Sequence, residues 1–433
     1  MNEQAGPPAN HKSIFWISAL ALFTAATANA IRVGASGAIK KELFDPIAPA
    51  HSGEMIASTL GNAFLGFALS LLVISPLLDR IGAKRVILFA SACFIVGPAL
   101  ILMAPTMHGV SLVYGVLTAG MVISGFGWGA TEGSINPLAA TIYPDDKTGK
   151  LNSLHAWWPF GLIVGGLLSA GLVSQLGVNW RVLIALIMVP GLIFGLWALR
   201  HTFPQTESTA KGVSFNQMLA EPFKRPSFWI FFGIMFLTAS TELGPGAWVD
   251  VALSQTVGMP GILVLVYVAA IMFVMRHFAG ALEHRFSDMG LLCLCTAPAA
   301  IGLYLLSTAN SPFSALFAAS LWAIGVCFTW PTMLAAAARR YPDGGSWTIG
   351  LLGFAGAMAI YFVLPQIGKI YDAAKLKAAG GAAAFESLQP GPEMNRVLGF
   401  AARESFQMIA LIAVALFFIF GAVWLFERRN RKG

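Results

Sequence analysis

The chain has 433 residues, 57% of them hydrophobic and only 11% charged, with a mean hydropathy of +0.73. A soluble globular domain carries roughly 25% charged residues, so water-soluble classes are excluded and a polytopic membrane protein is implied. The net charge of +7 calls for no nucleic-acid partner, because Lys and Arg gather in the cytoplasmic loops of membrane proteins and raise the pI by themselves.

A bilayer is crossed by about 20 mostly apolar residues. Such spans lie near 14–37, 54–78, 86–105, 110–140, 150–175 and 180–200. Lys12, the apolar run from Ile14 and Ala28-Asn29-Ala30 together look like a cleavable signal peptide. The run is long enough to span, however, and it is read as the first helix. A polar stretch from His201 to Pro226 follows, and then spans near 227–253, 260–284, 289–308, 313–338, 346–368 and 404–426. The expected fold is therefore all-α, with twelve transmembrane helices. Residues 1–200 form an N-terminal six-helix bundle, 201–226 a cytoplasmic linker, and 227–433 a C-terminal bundle with a long outer loop at about 371–403. That loop is rich in Ala, Gly and Lys, which suits a short helix at the membrane surface.

With both termini inside, the cytoplasmic segments take most of the 27 Lys and Arg, among them Arg80, Lys84, Arg85, Arg285, Arg339, Arg340 and the Arg428–Lys432 cluster. This bias favours cytoplasmic termini. The halves also repeat. Tyr143-Pro144-Asp145 closes the fourth span and Tyr341-Pro342-Asp343 the tenth, and Gly127 and Gly325 stand at the same interval. Two six-helix pseudo-repeats around a central cavity are a transporter construction.

Cys93, Cys293, Cys295 and Cys327 all fall in apolar segments, so neither a disulfide nor a metal site is expected. No H-E-x-x-H, G-x-S-x-G or phosphate-binding loop occurs, which argues against an enzyme and gives no cofactor.

The polar residues inside the spans carry the functional signal. An acid at membrane depth is costly, and it marks a solute or ion path, a proton relay or a fixed ion pair. Glu132 and Asn136, spaced i,i+4, share a helix face. Asn152 and His155 open the next helix across a short turn, so the four are expected to converge, with Pro137 freeing a backbone carbonyl beside them. The competing reading is a hydrogen-bonded clamp between the two helices. Glu242 is the second buried acid, followed by Gly244-Pro245-Gly246, which predicts a discontinuous helix. Arg32 in the first span is left three roles: an anion site, an ion pair with Glu132 or Glu242, or contact with a lipid headgroup. Arg276 is expected in a pairing near the cytoplasmic gate. Of the tryptophans, Trp158 and Trp248 lie beside the polar clusters and are candidate stacking rings for a sugar.

The run Ser75-Pro76-Leu77-Leu78-Asp79-Arg80-Ile81-Gly82-Ala83-Lys84-Arg85 resembles the G-x-L-A-D-R-x-G-R-K loop of the major facilitator superfamily. A weaker second copy ends at Glu283-His284-Arg285, where His284 replaces the Asp. The resemblance implies that Asp79, Arg80 and Arg285 latch the two halves. A narrower likeness, in Glu132, Asn136-Pro137, Leu151-Asn152 and Gly161, Gly165 and Gly166, is to the proton-coupled sugar symporters of the fucose–galactose–glucose type. It implies proton coupling at Glu132. Those proteins carry a sugar-binding Asp in helix one, where this chain has Asn29 followed by Arg32.

The expectation is a monomeric secondary transporter in the bacterial inner membrane. It moves a small polar solute such as a sugar together with a proton, by alternating access. Proton coupling falls to Glu132 and Glu242, and solute binding to Asn29, Arg32, Asn136, Asn152, His155, Trp158 and Trp248. Sodium in place of the proton stays open. So do an antiporter exporting amphipathic compounds, for which Met272, Met275 and Met358 speak, and an organic-anion carrier using Arg32.

Overall fold

The computed structural model describes residues 10–106, 109–143, 153–204, 214–254, 256–276, 286–341 and 344–430, and no strand occurs among them. In chain order the helices of the first half are α1 (His11–Phe44), α2 (Ser52–Ile81), α3 (Ala83–Leu102), α4 (Val110–Ile142), α5 (Ser153–Gln175) and α6 (Trp180–Leu199). The short α7 (Phe215–Lys224) stands in the linker, opened by a capping box of Ser214 and Gln217. The second half holds α8 (Pro226–Leu253), α9 (Ile262–Arg276), α10 (Asp288–Ser307), α11 (Pro312–Val326), α12 (Thr329–Arg340), α13 (Gly345–Ala379), α14 (Ala382–Ser387) and α15 (Pro392–Asn430). Ten of the described helices are long and apolar enough to cross a membrane, while α9 and α11 are shorter apolar helices.

Lipid offers helices no hydrophobic reason to associate, so close packing depends on small residues that let backbones approach. In α4, a Cβ at Gly125 or Gly129 would run into the carbonyls of Ala63 and Phe67 in α2. That approach fixes the rotation of α4. The first half meets the second where α2 runs along α13, α5 along α9 and α1 beside α8.

Two features differ from the sequence reading. The stretch 371–403 is mostly helix: α13 continues to Ala379, α15 starts at Pro392, and only residues 380–391 connect them, with α14 inside. The Ala and Lys there are good helix formers, and α13 stops where Gly380 takes the left-handed conformation at φ +86°. Secondly, α8 runs unbroken through Gly244-Pro245-Gly246. Pro245 has no N–H for the carbonyl of Thr241, and Trp322 supplies one instead, its Nε1 donating to Thr241 O at 3.0 Å. The discontinuity lies elsewhere, at Cys327-Phe328 between α11 and α12. α9 is described as far as Arg276, and His277, His284 and Arg285 lie outside the described residues.

All four cysteines are buried and free.

Candidate functional site

With α4 pressed onto α2 through its glycines, the side chains at 128, 132 and 136 form one stripe, since four residues make just over one turn. Glu132 is half-buried on it. Asn136 Nδ2 donates to Glu132 Oε2 at 3.3 Å and to the Glu132 carbonyl at 3.2 Å. Its other amide atom, Oδ1, lies 2.8 Å from His155 Nε2. The oxygen only accepts, so His155 donates through Nε2. A continuous chain of carboxylate, amide and imidazole thus joins α4 to the start of α5. Asn152, the fourth member expected here, lies outside the described residues.

An aromatic column walls this cluster. Trp128 is sandwiched between Phe67, with ring centroids 4.3 Å apart, and Trp158, at 4.9 Å. Trp158 therefore has one face already occupied by a ring. Trp248 has no exposed surface and meets Tyr371 edge-on at 5.7 Å; in this conformation it offers no face to a solute.

In the second half, Glu242 is buried in α8 and accepts a hydrogen bond from Thr329 Oγ1 at 3.1 Å. The Arg276 guanidinium pairs with it, Nη2 to Oε1 at 3.6 Å. Arg276 Nε donates to the Cys327 carbonyl at 3.1 Å, one of the groups freed by the break between α11 and α12. Arg276 is therefore held on two sides, by the buried acid and by this carbonyl. Its charge also acts on Glu132 and His155 in the other half, so it is common to both clusters.

Arg32 stands apart. It is 1% exposed, and Nη1 donates to Ser124 Oγ of α4 at 2.8 Å while Nη2 has no hydrogen-bond partner. The suggested pairs with Glu132 and Glu242 do not form, because those acids are engaged by Asn136 and Arg276. Asn29 is half-buried, one turn before Arg32 on α1.

At the end of the bundle that carries the chain termini, the Arg80 guanidinium lies over the Phe215 ring of α7 at 4.2 Å. Ser346 Oγ donates to the Ser75 carbonyl at 3.4 Å and ties the start of α13 to α2. The side chain of Asp79 lies outside the described residues.

Sequence reasoning missed the charges at the opposite end. Asp372 Oδ2 accepts the Glu54 backbone N–H at 2.7 Å, and Oδ1 accepts from Lys375 Nζ at 2.6 Å. Lys375 also donates to the Pro49 carbonyl at 3.3 Å, and Lys369 pairs with Glu54 at 3.3 Å. The carboxylate of α13 thereby caps the N-terminus of α2 in the other half, where an anion is favoured. Asp250 was missed as well. It is 7% exposed, accepts from Ser254 Oγ at 3.0 Å, and lies against Gly37 of α1. Its spacing from Glu242, eight residues along α8, was the available signal.

The sequence matches the family model of the Major Facilitator Superfamily over residues 14–364. Among characterised proteins it is similar to a gentisate transporter of Corynebacterium glutamicum, 26% identical over 352 residues that cover 73% of this chain and 74% of that protein. It is also similar to the glucose transporter GlcP of Staphylococcus epidermidis, 29% identical over 188 residues, a match to 43% of this chain and only 38% of that protein's length. Among solved structures, a D-xylose–proton symporter superposes with a TM-score of 0.70 at 14% identity, covering 92% of this chain and 97% of the other. The E. coli fucose:proton symporter superposes with a TM-score of 0.58 at 16% identity, covering 94% and 99%. These structural likenesses establish the fold.

Proposed function

The chain belongs to the Major Facilitator Superfamily, and from that premise we propose that it is a secondary active transporter carrying a small polar solute, such as a sugar, together with a proton. The observation that carries this reading is a pair of carboxylates inside the spans, one in each half, of which one is paired with a guanidinium and the other is held by an amide. Glu132 with Asn136 and His155 belongs to the first half, Glu242 with Thr329 to the second, and Arg276 acts on both. A fixed ion pair needs one acid; the second, hydrogen-bonded to an amide rather than to a cation, is free to exchange a proton.

The working cycle follows from charge. Ionised Glu132 attracts Arg276 across the gap between the halves. A proton from the outer side neutralises Glu132 and releases that attraction. Asn136 and His155 then turn their donors and acceptors to the solute, and the loaded halves rock inward about it. Release of the proton to the cytoplasm restores the charge and resets the carrier. Twelve helices in two six-helix repeats provide the frame. Gly127 of α4 abutting Ala90 of α3, and Gly325 of α11 abutting Ala299 of α10, support the repeat. Both termini face the cytoplasm of a bacterial inner membrane, and the carrier acts as a monomer. Arg80 on Phe215 belongs to the inner gate and Asp372 to the outer one.

Glu132→Gln is the test. In proteoliposomes this variant is expected to lose uptake driven by a pH gradient, by tenfold or more, while keeping solute counterflow. Undiminished pH-driven uptake would sink the assignment. A second reading, transport of an organic acid, is favoured by the free Nη2 of Arg32 and by the relative named as a gentisate transporter.

A further inference from the structure

Among the described residues, Arg32 is a cation in the interior of the bundle that pairs with no carboxylate. Its Nη1 has Ser124 Oγ and its Nη2 has nothing, and only 1% of the residue is exposed. The acids nearest in role are committed: Glu242 to Arg276 and Thr329, Glu132 to Asn136. Asp250 is engaged by Ser254 and lies against Gly37, five residues on from Arg32 in α1, and Asp372 is held by Lys375 and the Glu54 N–H. A guanidinium is always charged and carries five donors in one plane. Removed from water, it is stable only when an anion meets it. Among the described residues the protein supplies it a single hydroxyl, which leaves Nη2 available to an anion from outside the chain.

We propose that Arg32 anchors the carboxylate of the transported solute, which makes that solute an organic acid. The inference deepens the transporter reading and rests on it. The planar fork matches a carboxylate in bidentate fashion. Ser124 already accepts from Nη1, which leaves its own hydroxyl proton free to donate to the same anion. The half-buried Asn29 stands one turn before Arg32 on α1. The spacing also sets a length. Ser124 and Glu132 are eight residues apart on α4, about 12 Å along its axis. A carboxylate at Arg32 thus places the far end of a hydroxylated or aromatic acid near Asn136 and His155, whose polar groups suit hydroxyls. Protonation of Glu132 then keeps a second negative charge away from the bound anion, which gives the proton and the acid a reason to travel together.

A thermal-shift measurement on the purified full-length chain tests this with matched probes: D-gluconate against D-glucose, 3-hydroxybenzoate against 3-hydroxybenzyl alcohol, and sodium chloride and phosphate alone. At least one carboxylate is expected to raise the melting temperature by several degrees at millimolar concentration, with no shift from its neutral partner. The shift should vanish in Arg32→Gln and need at least tenfold more ligand in Arg32→Lys, which keeps the charge but loses the fork. Should Arg32→Gln fail to fold, Arg32→Lys decides. The proposal is overturned if no carboxylate shifts the wild type, if the neutral partners match the acids, if the shift survives in the Arg32 variants, or if chloride or phosphate alone reproduces it. Uptake separates the two claims. Proton-driven uptake of a neutral sugar, lost in Glu132→Gln but intact in Arg32→Gln, overturns the anchor and leaves the transporter. A carboxylate bound through Arg32 but never taken up leaves the anchor and overturns the transporter.

Discussion

At the scale of single residues, the site is a competition for one cation. Arg276 is held by Glu242 and by the Cys327 carbonyl, and its field reaches Glu132. Removing it leaves a buried carboxylate unpaired, which costs on the order of 3 kcal/mol. Arg276→Met is therefore expected to lower the melting temperature clearly, and Arg276→Met with Glu242→Gln to recover much of the loss; thermal unfolding of the purified variants reads both. Equal losses in single and double variants would mean that the pair contributes nothing. The Glu132–Asn136 contact was legible from its i,i+4 spacing alone, because one helix fixes both ends. The Arg276–Glu242 pair was not, since its members lie on different helices and no local spacing relates them. Arg32 was legible as an anomaly, but that none of the described acids pairs with it only emerges once those acids have been placed.

At the scale of elements, one helix behaves differently from what its proline suggests. The Gly-Pro-Gly of α8 reads as a break, yet the helix is continuous because Trp322, distant in sequence, takes the orphaned Thr241 carbonyl. Compensation by a residue 81 positions away leaves no mark on the local pattern. Trp322→Phe keeps the ring and removes the donor, and is expected to cost about 1–3 kcal/mol of stability. An unchanged melting temperature would show that the carbonyl finds another partner. Where the sequence pattern is local it served well: hydropathy placed nearly every described membrane-spanning helix, whereas the packing of α4 on α2 through its glycines emerges only from the structure. Gly129→Leu is accordingly expected to abolish folded protein, judged by the loss of a monodisperse peak on size exclusion, whereas Leu at Gly109, which has open space around it, is tolerated.

At the scale of the whole molecule, the two ends of the bundle are tied by different devices. Near the termini, Arg80 rests on Phe215 of the linker helix. At the other end the Asp372 carboxylate caps α2 and holds Lys375, a pair that is almost fully buried. The sequence hid this latch because 371–403 read as a loop, and because its partners are 318 residues apart. Asp372→Ala removes the cap and the ion pair together, and is expected to shift the population towards a conformation open at that end by roughly 5–30-fold, the effect of one or two kcal/mol. Spin labels at His51 and Gln389, both exposed at that end and in opposite halves, report it as growth of a long-distance population. An unaltered distance distribution would remove the latch from the cycle.

The central claim is that Glu132 binds and releases the coupling proton during solute movement. Its most direct measurement is proton flux in proteoliposomes, with an external pH indicator and no imposed gradient, on addition of a solute that binds. The wild-type chain is predicted to make the outer medium alkaline as solute enters, and Glu132→Gln to carry solute by exchange with no pH change. Solute entry without alkalinisation in the wild type, acidification instead of it, or an undiminished pH change in Glu132→Gln would contradict the account.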